Sequence, residues 1–244
     1  MERFEDQALV LGSLDYGEAD RLVTLFTRSH GKVTAFAAHA RKSKRRFAGA
    51  LEPFTLVNVW LVERSGNTFR LDLAEPERTF HGIREDLSLI ARAMYCLELC
   101  RELLREQEPH VELLDLAVDY LSQLEQKKAG PTSLLAFELQ TLALAGFMPR
   151  FDVCALCGKS WGPRPKFDPD HGGAVCDTCA LRTRGGVAVD GGLLEALAGL
   201  QAGARQPLAP ELRQKARELL NLFISHQLGK RLKSVDFMRQ VGLD

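Results

Sequence analysis

The sequence predicts an α+β protein: a small N-terminal β-barrel over residues 1–80, followed by an α-helical domain over 81–244 that carries a four-cysteine insert at about 150–182. Three observations lead there. Apolar residues recur with a period near two up to about residue 80, and with a period near 3.6 from residue 83. Between them in weight stands a pair of Cys-x2-Cys motifs, Cys154/Cys157 and Cys176/Cys179.

The barrel is read strand by strand. Leu22-Val23-Thr24-Leu25-Phe26 and Val33-Thr34-Ala35-Phe36 are rich in β-branched and aromatic residues, and Ser29-His30-Gly31 supplies the turn of a hairpin between them. The stretch from Phe54 to Val62 is apolar on both faces, with Phe54, Leu56, Trp60 and Val62 on one side and Val57, Val59 and Leu61 on the other. A strand buried on both sides suits a closed or nearly closed sheet. Phe69, Leu71 and Leu73 alternate with Arg70 and Asp72 before Pro76. Five or so short strands in about 80 residues fit the oligonucleotide-binding (OB) fold first, with an SH3-like barrel or a small sandwich as alternatives.

Helical spacing then takes over. Ile83, Leu87, Ile90, Met94 and Leu97 line one face, and a second helix over 109–124 carries Leu113, Leu116, Ala117, Tyr120 and Leu124. A third runs from Pro131 to near Gly146, since proline is tolerated at a first helical position and glycine follows a last one. Leu193, Leu197 and Leu200 mark a short helix; Leu212, Ala216, Leu219, Leu220, Phe223 and Ile224 mark a longer one stopped by Gly229.

The cysteines carry the most specific chemistry. Two residues between thiolates let one turn aim both sulfurs at a point about 2.3 Å from a zinc ion. Gly158 permits the tight turn after Cys157, and the 18 residues separating the two pairs lack a helical period and read as a metal-stapled loop. Four thiolates close a tetrahedron, so one structural zinc on Cys154, Cys157, Cys176 and Cys179 is expected, with no open position for catalysis. Two disulfides are the competing account, uncommon in a reducing compartment. His171 could replace one cysteine. Cys96 and Cys100, four apart on a helix, read as core.

Net charge is zero, but it is unevenly spread: +1 over residues 1–82, −5 over 83–148 and +4 over 149–244. A polyanion is expected to meet the two ends of the sequence and avoid the middle. Arg41-Lys42-Ser43-Lys44-Arg45-Arg46 sets five cations in six residues, flanked by small residues as in an exposed loop. Such a run is either a plain solvated loop or a site for phosphate contact, which needs no sequence code. Tyr16 and Phe47 are either core residues or surfaces on which a base stacks. Lys159, Arg164 and Lys166 make contact between the cysteine segment and DNA conceivable.

The run Ala8-Leu9-Val10-Leu11, Asp15-Tyr16-Gly17-Glu18-Ala19-Asp20, Val23-Thr24-Leu25-Phe26-Thr27, His30-Gly31-Lys32 and Ala40-Arg41-Lys42-Ser43-Lys44 to Leu51-Glu52-Pro53-Phe54 closely resembles the amino-terminal domain of the RecO family of DNA repair proteins. His226 and Leu228-Gly229-Lys230-Arg231-Leu232-Lys233-Ser234 resemble its carboxy-terminal signature. The resemblance implies a recombination mediator that binds single- and double-stranded DNA, anneals complementary strands, and works with RecR. Such proteins help load the RecA recombinase onto gaps coated by single-strand-binding protein. It further implies DNA contact through Arg41, Lys42, Lys44, Arg45 and Arg46, and through Lys230, Arg231 and Lys233. Where the family often has glycine before the basic loop, this chain has His39-Ala40.

An enzyme is the rival class. No Walker A loop, HExxH or Gly-x-Ser-x-Gly is present, and no acidic pattern suited to nuclease magnesium stands out. A zinc-ribbon and OB-fold protein acting on RNA or in transcription is the other alternative. An acidic N-terminus without an apolar core and the lack of any bilayer-length apolar stretch lead us to expect a cytoplasmic, nucleoid-associated protein with neither a membrane nor a small-molecule substrate.

Overall fold

The computed structural model of the chain describes residues 3–43, 45–47, 49–64, 68–204 and 206–243; Lys44 of the basic run lies outside them. Five strands, β1 (Arg3–Tyr16), β2 (Asp20–Thr27), β3 (Gly31–Ala37), β4 (Leu56–Arg64) and β5 (Thr68–Arg78), close a barrel in the order β1-β2-β3-β5-β4. Strand β1 closes it by serving two neighbours. Its first half pairs with β4 from Arg3↔Val62 to Leu9↔Leu56, its second half with β2 from Ala8↔Thr27 to Tyr16↔Asp20. A bulge between Val10 and Gly12 supplies the bend. The last seam is a short parallel pairing of β3 with β5 at Ala35↔Phe69 and Phe36↔Arg70.

Val10, Val23, Leu25, Val33, Ala35, Val57, Val59, Leu61, Phe69 and Leu71 fill the interior. Full burial of each large side chain contributes about 1.5–3 kcal/mol relative to exposure. The two-sided burial expected of the fourth strand is present in Val57, Val59 and Leu61 inside and Leu56 and Val62 outside. Phe54 does not belong to it: its φ of +63° places it in the preceding turn, and the strand starts at Leu56.

The chain divides into two compact units, one comprising residues up to Lys128 together with Ser234–Leu243, the other Ala129–Lys233. In the first, a 3-10 turn over His81–Glu85 leads into α1 (Leu87–Leu103), whose first turn is capped by the Asp86 carboxylate accepting from the Ser88 and Leu89 amides. Helix α2 (Val111–Glu125) packs beside α1 and buries Leu113, Ala117, Tyr120 and Leu124 of the expected stripe, with Leu116 half-buried. The face expected for α1 is not the buried one: Leu87 and Met94 are exposed, and Leu89, Tyr95, Cys96 and Cys100 are buried instead. Cys96 and Cys100 are fully buried on α1, in the core as expected.

In the second unit, α3 (Ser133–Leu144) packs with two later helices across a small insert. That insert holds three short strands, β6 (Lys166–Asp168), β7 (Gly173–Val175) and β8 (Val187–Ala188), and one short helix, α4 (Asp177–Ala180). The sheet order is β7-β6-β8, so the segment expected to be an irregular loop is a small sheet. Strands of two or three residues are too short to show alternation, which is why the period is silent there. Phe167 on β6 is fully buried, stacked on Phe151 at 5.7 Å and edge-on to Phe223 at 5.7 Å. Phe223 sits on α6 (Pro210–Leu228), which packs with α5 (Gly191–Gln201) and ends at Gly229 with φ +66°.

A further helix, α7 (Lys233–Gln240), occupies what reads in sequence as a basic tail. Its Val235 and Met238 are buried, and the Ser234 amide and hydroxyl both donate to Glu98 Oε2 on α1.

Candidate nucleic-acid interface and metal centre

The basic loop is fastened to the barrel at both ends. The His39 amide donates to Asp20 Oδ1 (2.7 Å) and the Arg41 amide to the Ala19 carbonyl (3.0 Å), tying its start to the β1–β2 turn. Farther on, the Ala74 amide of β5 donates to the Arg46 carbonyl (3.0 Å), and Phe47 is buried beneath. His39, at the start of the loop, takes the left-handed conformation at φ +56°. Non-glycine residues enter that region at a cost.

The cations of the loop are not equivalent. Arg41 donates to the Glu18 carbonyl (3.3 Å) and approaches Asp15 at 3.5 Å. Arg46 donates to the Ala38 carbonyl (2.6 Å) and lies over the Phe47 ring at 5.0 Å. Lys42 and Arg45 are exposed. Beside the loop opens a cleft of about 440 Å³, lined by Arg21, Arg41, Ser43, Phe47, Leu51 and Glu52. Arg21 crosses it, bonded to Glu52 (3.0 Å) and Asp15 (3.2 Å), and its pKa is raised chiefly by the Glu52 hydrogen bond. Arg21 carries no motif signal; the β2–β3 pairing, which sets it opposite Ala37 at the end of β3, brings it to the loop.

Of the two aromatic residues weighed for base stacking, Phe47 is core, 2% exposed, whereas Tyr16 is 56% exposed. Lys230, Arg231 and Lys233 are exposed at the end of the second unit, just beyond the Gly229 cap and at the start of α7.

In the second unit, Cys154, Cys157, Cys176 and Cys179 bring their sulfurs within 4.8 Å of one another. The Cys157 and Cys176 sulfurs are 3.9 Å apart. The edge of a tetrahedron with metal–sulfur bonds of about 2.3 Å is about 3.8 Å, so the donors fit a tetrahedral ion. No two of the six cysteines are joined in a disulfide, and the four sulfurs converge on one another as ligands of a shared ion do.

Local folding explains the convergence. The Cys154–Cys157 turn closes through the Gly158 amide on the Cys154 carbonyl (2.8 Å), with Gly158 at φ +69°, and the second pair opens α4. Burial would raise the Cys154 thiol pKa, but backbone amides of Cys176, Cys157 and Leu156 outweigh it and bring it to about 6. Hydrogen bonds to the Cys176 and Cys157 sulfurs push Cys179 up to about 12. His171 is engaged elsewhere, with Nδ1 3.0 Å from Asp168 Oδ2; among the described residues the cluster is the four cysteines.

Comparison with known proteins decides the family. The family profile described as Recombination protein O N terminal matches residues 1–80, and that described as Recombination protein O C terminal matches residues 84–236. This chain belongs to the RecO family. It is 65% identical over 244 residues to the DNA repair protein RecO of Myxococcus xanthus (strain DK1622), covering the whole of both chains. It is 46% identical to the DNA repair protein RecO of Anaeromyxobacter sp. (strain K), over 99% of this chain and 98% of that one. With the DNA repair protein RecO of Pelobacter propionicus it shares 35% identity, over 97% and 96% of the two chains. Among the described residues, no helix of this RecO-family chain is long and apolar enough to cross a membrane.

Proposed function

We propose that this RecO-family protein is a recombination mediator that binds single- and double-stranded DNA, promotes annealing of complementary strands, and helps load the RecA recombinase with RecR. The observation that carries the reading is the union of a closed OB-like barrel, bearing a cationic loop fastened to its wall, with family similarity along the whole chain. Barrels of this type bind oligonucleotides on the faces and loops of their sheet. Arg41, Lys42, Lys44, Arg45 and Arg46, with Lys230, Arg231 and Lys233, hold phosphates and read no bases. Two strands drawn onto cationic surfaces lose mutual repulsion and pair without ATP, so no catalytic step is required. The barrel domain, residues 1–80, engages DNA; the helical domain, residues 81–244, presents sites for RecR and for the single-strand-binding protein, and the protein works in the cytoplasm at the nucleoid.

Zinc is the ion assigned to the four cysteines, because four thiolates in a tetrahedron suit it. Bound there, it would staple the insert of the second unit and supply no reaction chemistry. The test is an annealing assay with complementary oligonucleotides, run on the native protein and on one in which Arg41, Lys42, Arg45 and Arg46 are changed to Glu. Annealing lost with the charges supports the reading; annealing and binding that survive the change, or tighter binding to matched RNA than to DNA, overturn it.

A further inference from the structure

The four cysteines of the insert differ in what surrounds them. Cys154 is fully buried, and its sulfur accepts from the Cys176 amide at 3.4 Å. Cys176 and Cys179 are half-buried, and of the four only Cys157 is exposed. The turn that carries Cys157 is open on its outer side. Leu156 before it is 45% exposed, and a Cβ placed on Gly158 after it would meet nothing within 4 Å. A small solute therefore reaches the Cys157 sulfur directly from water.

The Cys176 sulfur lies 3.9 Å from it. A disulfide sets its sulfurs about 2.0 Å apart, so the two must approach by about 2 Å. Neither residue sits inside a regular element. Cys157 lies in the turn before Gly158, and Cys176 occupies the single position between β7, ending at Val175, and α4, beginning at Asp177. The approach is taken up by turn backbone, and no strand pairing has to break.

Once joined, these two residues leave Cys154 and Cys179 as donors, half of a tetrahedral set. The insert has little else to hold it. Its sheet pairs β6 with β7 at three positions and β6 with β8 at two, and a sheet so small is marginal by itself. What ties it to α6 is the edge contact of Phe167 with Phe223 and the pair of His226 Nε2 with Asp170 Oδ1 at 3.2 Å. The state of the cysteines thus bears on the end of α6, directly before Lys230 and Arg231.

We propose that Cys157 is an oxidative modification site, at which peroxide empties the metal centre by joining Cys157 to Cys176. This rests on the assignment of zinc to the four cysteines. The Cys157 thiolate attacks one oxygen of hydrogen peroxide, the O–O bond breaks, and the other oxygen takes a proton from solvent and leaves as water. The Cys176 thiolate then attacks the resulting sulfenic acid, whose oxygen takes a second proton and leaves as water. Two electrons pass from the two sulfurs to one peroxide, and two donors remain, too few to retain the ion. Cys96 and Cys100, fully buried on α1, stand outside this chemistry.

The experiment uses the full chain, its zinc content measured first by elemental analysis. Hydrogen peroxide is then added in steps. Released zinc is followed with a chromogenic chelator, remaining thiols by alkylation after denaturation, and the linkage by peptide mass spectrometry. The zinc leaves as two of the six thiols disappear, with Cys157 joined to Cys176 and with Cys96 and Cys100 still open to alkylation; thiol reductant and added zinc reverse the loss. Cys157→His keeps four donors, since three cysteines and one histidine also close a zinc site, but it has no sulfur there to oxidise. It holds its ion at peroxide concentrations that empty the native chain. A purified native chain without zinc removes the metal assignment and the proposal with it. Zinc that stays in place until Cys96 and Cys100 oxidise, or that leaves Cys157→His as readily as the native chain, overturns the proposal and leaves the assignment standing. The linkage in the native chain decides independently of that variant: zinc loss with Cys157 still reduced, or joined to a residue other than Cys176, also overturns it.

Discussion

Replacing Lys42 and Arg45 with glutamine isolates the electrostatic part of DNA binding from the loop's own structure. Arg41 and Arg46 are committed to the barrel through the Glu18 and Ala38 carbonyls, so changing them disturbs the loop as well as its charge. Lys42 and Arg45 are exposed and can be removed cleanly. Each cation that engages a phosphate adds about 0.7 to the negative slope of log affinity against log salt on single strands, and about 0.9 on duplex. Two lost cations therefore flatten the slope by about 1.4 and about 1.8. Raising salt from about 50 to about 200 mM weakens single-strand binding by about seven-fold less in the variant than in the native protein. Fluorescence anisotropy of a labelled oligonucleotide, titrated at four or more salt concentrations, reads this directly. An unchanged slope would show that these side chains never meet phosphate, and the loop would drop out of the account.

Other expectations follow from the packing and the caps. Chelation of the ion proposed for the four cysteines, or Cys176→Ser, should remove metal binding worth on the order of 10 kcal/mol and unfold the insert, seen as loss of metal content together with a lowered melting temperature. Phe167→Ala, emptying a fully buried site between Phe151 and Phe223, costs about 3–5 kcal/mol in denaturant unfolding. Gly31→Ala destabilises by more than about 1 kcal/mol, because φ is +64° there and a Cβ would overlap the Glu108 backbone; a neutral result in the same assay would contradict the close approach of turn and helical segment. Hydrogen bonds from the Ser88 hydroxyl, and then from the Ser88 backbone, hold the Asp86 pKa below its ordinary value. A depressed carboxylate contributes stability above its unfolded pKa, about 3.9, and loses it as pH falls through the lower folded value. Asp86→Asn should therefore be less stable than native at neutral pH and lose less stability on acidification, followed by pH-dependent thermal melts.

The sequence disclosed those parts of the fold whose side chains repeat over enough residues to show a period. Strands β2, β3 and β5 carry an apolar alternation, β4 is apolar on both faces, and α2 and α6 bury stripes three and four apart, so each was legible. The stripe of α1 was not, since the helix is apolar on several faces and buries Leu89, Cys96 and Cys100 while leaving Leu87 and Met94 exposed. The metal cluster was legible because its spacing is itself the geometry. The sheet of the insert was not, since β8 has two residues and β6 and β7 three each. Helix α7 was hidden because its eight residues bury only Ser234, Val235 and Met238, and the cations before it dominate the local reading. Tyr16 illustrates a different limit. Its residue type suits a core equally well, and only the pairing that sets it opposite Asp20 at the end of β1 leaves it in solvent. In the same way, the sequence counts five cations in the loop, but which of them the barrel already holds depends on carbonyls of Glu18 and Ala38 that carry no side-chain signature.

The contact between Ser234 and Glu98 makes the first unit discontinuous along the chain, with residues 129–233 interposed. Translation must run through the whole of that interposed stretch before the last helix can reach its seat on α1. The barrel is thus synthesised first yet its unit is completed last, and during that interval the nascent polypeptide exposes the surface around Glu98 that α7 later covers. Vectorial synthesis, and not thermodynamic stability alone, sets when this surface is safe from association with its neighbours on the ribosome.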